Sequence, residues 1–368
     1  MDYDPFARGP YPVGVRTIDL VDRSRDRTLP TEIWYPAIAA HQGQDLDPGT
    51  RDRYTLMPGV PPAYQLAVRD VPARIGGFPL KIFSHGFGGH RRQSSFFCTH
   101  VASHGFVVAA CDHTGDTAAD LIARAALSPE QQKERGRAIT RMRPEDITCV
   151  LDQLLAGVAG PATLGLDARL EAGAARDSAV ARAPGGSQAP VRVAVAGHSF
   201  GGFTALAAAG RDTRIAVVIG LAPAGGPSPA GGALARRLDL DWRRVVPTLF
   251  IAGDEDSVLP LDGIRALLDR VTAPKRLIAI TGADHFHFCD GARQIHQLFR
   301  ALPAPIPLAR PLPPFDDLCP EKPARDVIRA ASLAHLDAHL RHSAPARDFL
   351  SRDLPATMRT RGATIEVL

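Results

Sequence analysis

The chain has 368 residues, of which 45% are hydrophobic and 22% charged, with a formal net charge of +4. That length and balance suit a large globular domain with a substantial core. The scattered arginines form no basic block interleaved with aromatics, which argues against a nucleic-acid partner, and no apolar run reaches the roughly 18–20 residues needed for stable membrane insertion.

In chain order, Val15 to Val21 and Thr31 to Tyr35 are two strands joined by a charged turn, which predicts an antiparallel hairpin. Residues 37–76, rich in Pro, Gly and Asp, read as a long excursion. Pro79 to Ser84 is the next strand and runs into His85-Gly-Phe-Gly-Gly89, a turn that presents backbone N–H groups at a sheet edge. Residues 93–104 read as a helix closed by Gly105. Phe106 to Cys111 has the look of a buried parallel strand, and the polar loop Asp112 to Asp116 follows. His113 in that loop reads as a binding or structural residue near a cleft. Residues 117–143, with Arg135, Arg137, Arg141 and Arg143, form a basic helical insertion, either a solvated face or a cap. Pro144 is expected to open a separate helix reaching about Ala156, with Ile147, Val150, Leu151, Leu154 and Leu155 on one stripe. Residues 157–190 are a low-complexity surface excursion.

Val191 to Ala209 begins with alternating β-branched residues and ends in strong helix formers, with Gly197-His-Ser-Phe-Gly201 between them. A strand must turn into a helix here within a few residues, which lifts the Ser199 hydroxyl above the sheet edge at a helix N-terminus. Ile215 to Leu221, Pro247 to Ala252 and Arg276 to Ile280 are further strands. A fourth insertion covers 222–246, a helix covers 261–271, and helices at 290–301 and 324–341 flank a proline-rich linker. The alternation predicts an α/β fold with one mostly parallel, doubly wound sheet, an N-terminal antiparallel hairpin and lid-like insertions. We expect a single domain, 1–368, with a C-terminal helical extension over about 303–345.

A serine hydroxyl is a poor nucleophile unless a base lies within reach and a carboxylate orients that base. Loops at strand ends supply Ser199, then Asp254, Glu255 and Asp256, then His285 and His287. Ser, acid, His is the chain order of an α/β-hydrolase triad. Asp256 is favoured because it directly precedes the turn into the next helix, and Asp254 then caps that helix or faces water. His285 is favoured for its place just after a strand, with His287 packing behind it. The oxyanion donors expected are the backbone N–H groups of Phe200 and Phe87, and Gly86, Gly88, His198 and Phe286 are expected around an apolar pocket. The run His285-Phe-His-Phe-Cys-Asp290 holds metal-ligating types, but no supporting cluster is evident and no metal is expected. Cys98, Cys111, Cys149, Cys289 and Cys319 lack C-x-x-C spacing and read as reduced thiols, with a Cys289–Cys319 bridge left open. The acidic start lacks a signal peptide's basic and apolar regions, so a cytoplasmic location is expected, or secretion if a leader has been removed.

Trp34-Tyr-Pro-Ala37, Ser84-His-Gly-Phe-Gly-Gly89, Ala102-Ser-His-Gly-Phe-Val-Val-Ala-Ala110 and Gly197-His-Ser-Phe-Gly-Gly202 together resemble the platelet-activating-factor acetylhydrolase family. Bacterial cutinases and polyester hydrolases are its neighbours. The resemblance implies the α/β-hydrolase fold and hydrolysis of a small-molecule carboxylic ester by Ser199 without metal or organic cofactor. Acetylhydrolases of this kind carry their acid after the strand that follows the serine helix, where this chain has Gly220-Leu-Ala-Pro-Ala224. The Pro247 to Pro260 stretch is instead similar to the acid loop of cutinases, which supports Asp256. A polyester, cutin or lactone substrate, or a non-catalytic binding protein with this fold, are the alternatives. The sequence does not indicate an oligomeric state.

Overall fold

A computed structural model of the chain describes residues 3–55, 62–124, 126–156, 192–229, 238–272, 274–301 and 307–368. The expected excursion at 157–190 lies outside them. The chain divides into two compact units, one of Arg8–Phe83 and His90–Val193, the other of Met1–Ala7, Ser84–Gly89 and Ala194–Leu368.

In the first unit, β1 (Val13–Asp22) and β2 (Arg27–Pro36) form the expected hairpin, in register from Val13 opposite Pro36 to Asp22 opposite Arg27. The Asp22 carboxylate takes the N–H groups of Ser24 and Arg25 and so closes the turn. The 37–76 excursion contains short strands. β3 (Arg53–Tyr54) pairs with β4 (Ala63–Tyr64), and β5 (Val68–Arg69) runs parallel to β1. The wholly buried β6 (Leu80–Ser84) and β7 (Val107–Cys111) are parallel to each other, and β7 lies antiparallel to β2. Between them comes α1 (Ser95–Ser103), after which Gly105 adopts φ 86° as the chain leaves the helix.

Helix α2 (Ala118–Arg124) is followed by α3 (Pro129–Leu155), and here the sequence expectation needs correction. Pro144 does not open a helix; it sits inside one continuous helix of 27 residues. The start signal lies upstream, where Ser128 accepts from Gln131 N–H, Gln131 returns the bond, and Pro129 fills the first turn. A proline in a helix interior costs about 3 kcal/mol. Burial around it offsets this: the Arg143 guanidinium is paired at 2.7 Å with Asp116, both sealed from solvent, and Ile147, Val150, Leu151 and Leu154 are fully buried. His113 is likewise structural. It is buried, with Nδ1 3.0 Å from an Asp146 oxygen, and Asp146 also pairs with Arg25 and Arg27.

In the second unit the strands are ordered β12-β11-β10-β9-β8, namely β8 (Val193–His198), β9 (Ile215–Leu221), β10 (Thr248–Gly253), β11 (Lys275–Ile280) and β12 (Ile365–Val367). β9, β10 and β11 are mutually parallel, and β12 is antiparallel to β11. β12 escaped the sequence reading because three residues show no period, so Arg276 to Ile280 is not the last strand. Helix α4 (Phe200–Arg211) packs on β9, and α5 (Leu261–Asp269) packs on β10 and β11. After α6 (Ala292–Ala301), the long α7 (Glu321–Leu340) lies on β9 and β10, followed by α8 (Ala344–Ser351) and α9 (Leu354–Arg359).

Candidate active site

The candidate triad and both candidate oxyanion residues belong to the second unit. Ser199 stands between β8 and α4 with φ 56° and ψ −118°, a conformation that L-residues reach only under strain. It occupies the capping position of α4, yet its side chain makes no capping bond, so the hydroxyl is not spent on the helix. Its backbone is tied on both sides: N–H donates to Leu221 O at 2.9 Å, and its carbonyl accepts from Gly202 and Ala224. The flanking glycines are a matter of space. A Cβ on Gly197 would lie 2.1 Å from Gly201 O, and one on Gly201 would lie 1.9 Å from Ser84 O. The N-terminal end of α4 thus rests directly on the backbone that leads into His85–Gly89.

That loop turns through a Gly89 N–H to Gly86 O bond of 3.1 Å, with Gly88 at φ 63°. His85 folds back onto it, Nδ1 lying 2.7 Å from Gly86 O. Phe87 is on this loop and Phe200 is the first residue of α4. The contact of Gly201 with Ser84 and His85 therefore brings their two backbone segments together.

The loop carrying the candidate acid (the acid loop) leaves β10, and the loop carrying the candidate base (the base loop) leaves β11. Asp256 Oδ1 accepts the N–H groups of Val258 and Leu259 at 2.8 and 2.7 Å, and Oδ2 faces His285 Nδ1 at 2.7 Å. A carboxylate only accepts, so Nδ1 carries the proton and Nε2 keeps its lone pair. Both side chains are buried, and His285 retains about 6% exposure. Asp254 serves the backbone instead, for its Oδ1 takes Gly282 N–H at 2.7 Å and pins the base loop to the acid loop. Glu255 pairs with Arg310 at 2.6 Å.

His285 opens a short 3-10 helix, His285–Phe288, and its ring contacts those of His198 and Phe286. His198, next to Ser199 in sequence, also places Nε2 3.0 Å from His285 O, so the serine turn and the base loop meet at this ring. Burial holds the His198 imidazole well below the ordinary histidine range, hence neutral. Behind His285, Asp284 Oδ1 accepts from Phe286 N–H and lies 2.7 Å from His287 Nδ1, which the Asp284 N–H also faces at 3.0 Å, and its other oxygen faces His296 Nδ1. His287 Nε2 reaches Cys319 O at 2.9 Å and His296 Nε2 reaches Pro313 O at 2.9 Å. Although burial opposes it, the Asp284 bond lifts His287 to about 10, and the two histidines hold the Asp284 carboxyl far below its usual range. Asp284 and His296 went unnoticed in the sequence, although Asp284-x-x-His287 has the spacing of a capping box. Phe286 is buried against His285, His296 and Phe299. The ligand-type side chains of this run are engaged with protein partners: His285 with Asp256, His287 with Asp284, and Cys289 Sγ with His198 Nδ1 at 3.8 Å. All five cysteines are free thiols, Cys289 and Cys319 included.

A solved ferulic acid esterase from Streptomyces cinnamoneus superposes with a TM-score of 0.61 over 91% of this chain and 92% of that one, at 23% identity. The family model described as platelet-activating factor acetylhydrolase, isoform II, matches residues 68–156. The chain has the α/β-hydrolase fold and is similar in sequence to the platelet-activating-factor acetylhydrolases. The acetylhydrolase of Cavia porcellus is 30% identical to this chain over 254 residues, covering 60% of this chain and 55% of the relative. That of Bos taurus is 28% identical over 235 residues, covering 58% and 48%. The chain thus spans about half the length of the curated relatives it matches. The matched family segment includes the His85–Gly89 loop but stops short of Ser199. In this chain the stretch Gly220 to Ala224 holds no carboxylate and braces the Ser199 turn instead, through Ala224 N–H on Ser199 O. Among the described residues, no helix is long and apolar enough to cross a membrane.

Proposed function

We propose that this chain is a serine carboxylic-ester hydrolase that works through an acyl-enzyme on small or apolar acyl esters. The single observation that carries the reading is the 2.7 Å bond from Asp256 to His285 Nδ1, because it leaves the Nε2 lone pair as the base. Ser199 Oγ attacks the ester carbonyl carbon while His285 Nε2 takes the hydroxyl proton. The carbonyl oxygen gains the negative charge, and the N–H groups of Phe87 and Phe200 stabilise it. Collapse of the intermediate breaks the ester C–O bond, and His285 returns the proton to the departing alcohol. Water then attacks the acyl-serine, His285 again taking a proton, and the acid is released with Ser199 restored. Asp256 stays ionised throughout and balances the imidazolium.

Similarity to acetylhydrolases supports a short acyl group, and the free thiols suit a reducing, cytoplasmic setting. The reading calls on no metal or organic cofactor, and its partner is a small-molecule ester. Turnover of p-nitrophenyl esters of graded chain length tests it. Ser199→Ala should lower kcat by roughly 10⁴–10⁶ and abolish labelling by a fluorophosphonate. Retained turnover or labelling in that variant removes Ser199 from the mechanism.

A further inference from the structure

Resting on the triad reading, we infer that His198 is a positioning residue for the catalytic base: its Nε2–H clamps the His285 carbonyl, which fixes its tautomer, and the Cys289 thiol supports the ring at Nδ1. His198 Nε2 lies 3.0 Å from His285 O. A carbonyl oxygen can only accept, so the proton is on Nε2. A neutral ring then has a lone pair on Nδ1, and the atom facing it, at 3.8 Å, is Cys289 Sγ. With the lone pair on Nδ1, the thiol can donate a weak S–H hydrogen bond to it. His198 is buried at 3% exposure, with its ring 4.6 Å from that of His285 and stacked 5.7 Å from that of Phe288.

The arrangement links the nucleophile to the base through the main chain. His198 precedes Ser199, so any shift of the turn is passed through one side chain to the backbone of His285. Asp256 fixes the ring of His285 at Nδ1, and His198 fixes the carbonyl of the same residue. Held at both points, His285 has its ring and its main chain fixed together, as a positioned base requires. Neutrality matters as well. His285 becomes a cation during each half-reaction, and a second cation 4.6 Å away would oppose it.

The test uses two replacements that differ only in the critical donor. His198→Gln can place its amide N–H where Nε2–H lies, whereas His198→Leu fills similar space without a donor. kcat and KM on p-nitrophenyl acetate, fluorophosphonate labelling rates and thermal midpoints are compared with wild type. We expect His198→Leu to lose roughly 10²-fold in kcat and in labelling rate with KM little changed, as for a base misplaced by a fraction of an ångström. His198→Gln should stay within about tenfold of wild type even if both variants lose thermal stability alike. Equal losses in the two variants, or a rise in KM in place of a fall in kcat, overturn the inference; the latter makes His198 a pocket wall. If His198→Leu does not fold, Cys289→Ala carries the test, with an expected loss of roughly 3–10-fold in kcat, the worth of one neutral hydrogen bond, and no change in KM. An unchanged kcat there overturns the inference. A wild-type enzyme without esterase turnover, or a fully active Ser199→Ala, brings down the triad reading and this inference together. Normal His198→Leu turnover that still depends on Ser199 brings down this inference alone.

Discussion

Replacing Asp256 by asparagine changes one atom at the centre of the site. The new side chain has one acceptor oxygen and one NH2 group. Two main-chain donors, Val258 and Leu259, claim the oxygen at 2.8 and 2.7 Å, so the NH2 group is turned towards His285 Nδ1. A donor facing Nδ1 forces that nitrogen to accept, and the imidazole proton moves to Nε2. The base then has its lone pair buried against residue 256 and a proton where it should receive one. Loss of the correct tautomer in a triad costs on the order of 10⁴ in kcat, equal to about 5.5 kcal/mol of transition-state stabilisation. The shape and packing of the side chain are unchanged, so the thermal midpoint should hardly move. Stopped assays on p-nitrophenyl acetate, with active sites counted by fluorophosphonate, measure kcat per folded enzyme. Asp254→Asn is the control, because its carbonyl can still accept Gly282 N–H, and it should stay within about tenfold of wild type. If Asp256→Asn kept a tenth or more of wild-type turnover while Asp254→Asn collapsed, the acid would be Asp254 and the tautomer argument would be wrong.

Gly201→Ala should destabilise the fold by about 1–3 kcal/mol in chemical denaturation, since its Cβ would meet Ser84 O at 1.9 Å; full stability would mean that α4 can slide away from that backbone at no cost. The His287–Asp284 pair raises the histidine from 6.5 to about 10, so its stabilisation is complete below pH 6.5 and is lost as pH climbs through 10. The wild-type thermal midpoint should therefore fall, relative to that of His287→Gln, between pH 7 and 10; parallel curves would refute the pairing. Lys81 works in the opposite sense: its fully buried Nζ has no hydrogen-bond partner, sits 3.5 Å from the centre of the Phe97 ring, and is lowered from 10.5 to about 8. Lys81→Met should thus stabilise the protein at pH 7 by up to about 3 kcal/mol, with the gain fading from pH 8 to 10.5 as the lysine loses its charge. A destabilised variant would show that the ring contact outweighs desolvation.

Strands β6 to β11 were legible because each is a short apolar run between turn signals, and the glycines around Ser199 announce a turn that only they can make. The preference for Asp256 over Asp254 and for His285 over His287 also followed from position along the loops, and the hydrogen bonds pair Asp256 with His285. What stayed hidden depends on contacts distant in sequence. Pro144 looks like a helix start, and only the burial around it, of Arg143 with Asp116 and of the apolar stripe from Ile147 to Leu154, shows why the helix passes through it. His198 suggested a pocket wall because it neighbours the nucleophile, but its ring is packed between His285 and Phe288. Nothing local marks Asp284 as the partner of two histidines, one of them twelve residues away. β12 was invisible because three residues cannot display alternation.

The seam between the acid and base loops has a wider consequence. Glu255 N–H on Ala283 O, Asp254 N–H on Ile280 O and Gly282 N–H on the Asp254 side chain sew the two together. Asp256 and His285 consequently shift as one rigid cassette, and their mutual alignment is insulated from remodelling elsewhere. Under the triad reading, variation in the remaining loops can then alter the surroundings of the pair without detuning it, which gives such a scaffold freedom to change its substrate preference by drift in its periphery.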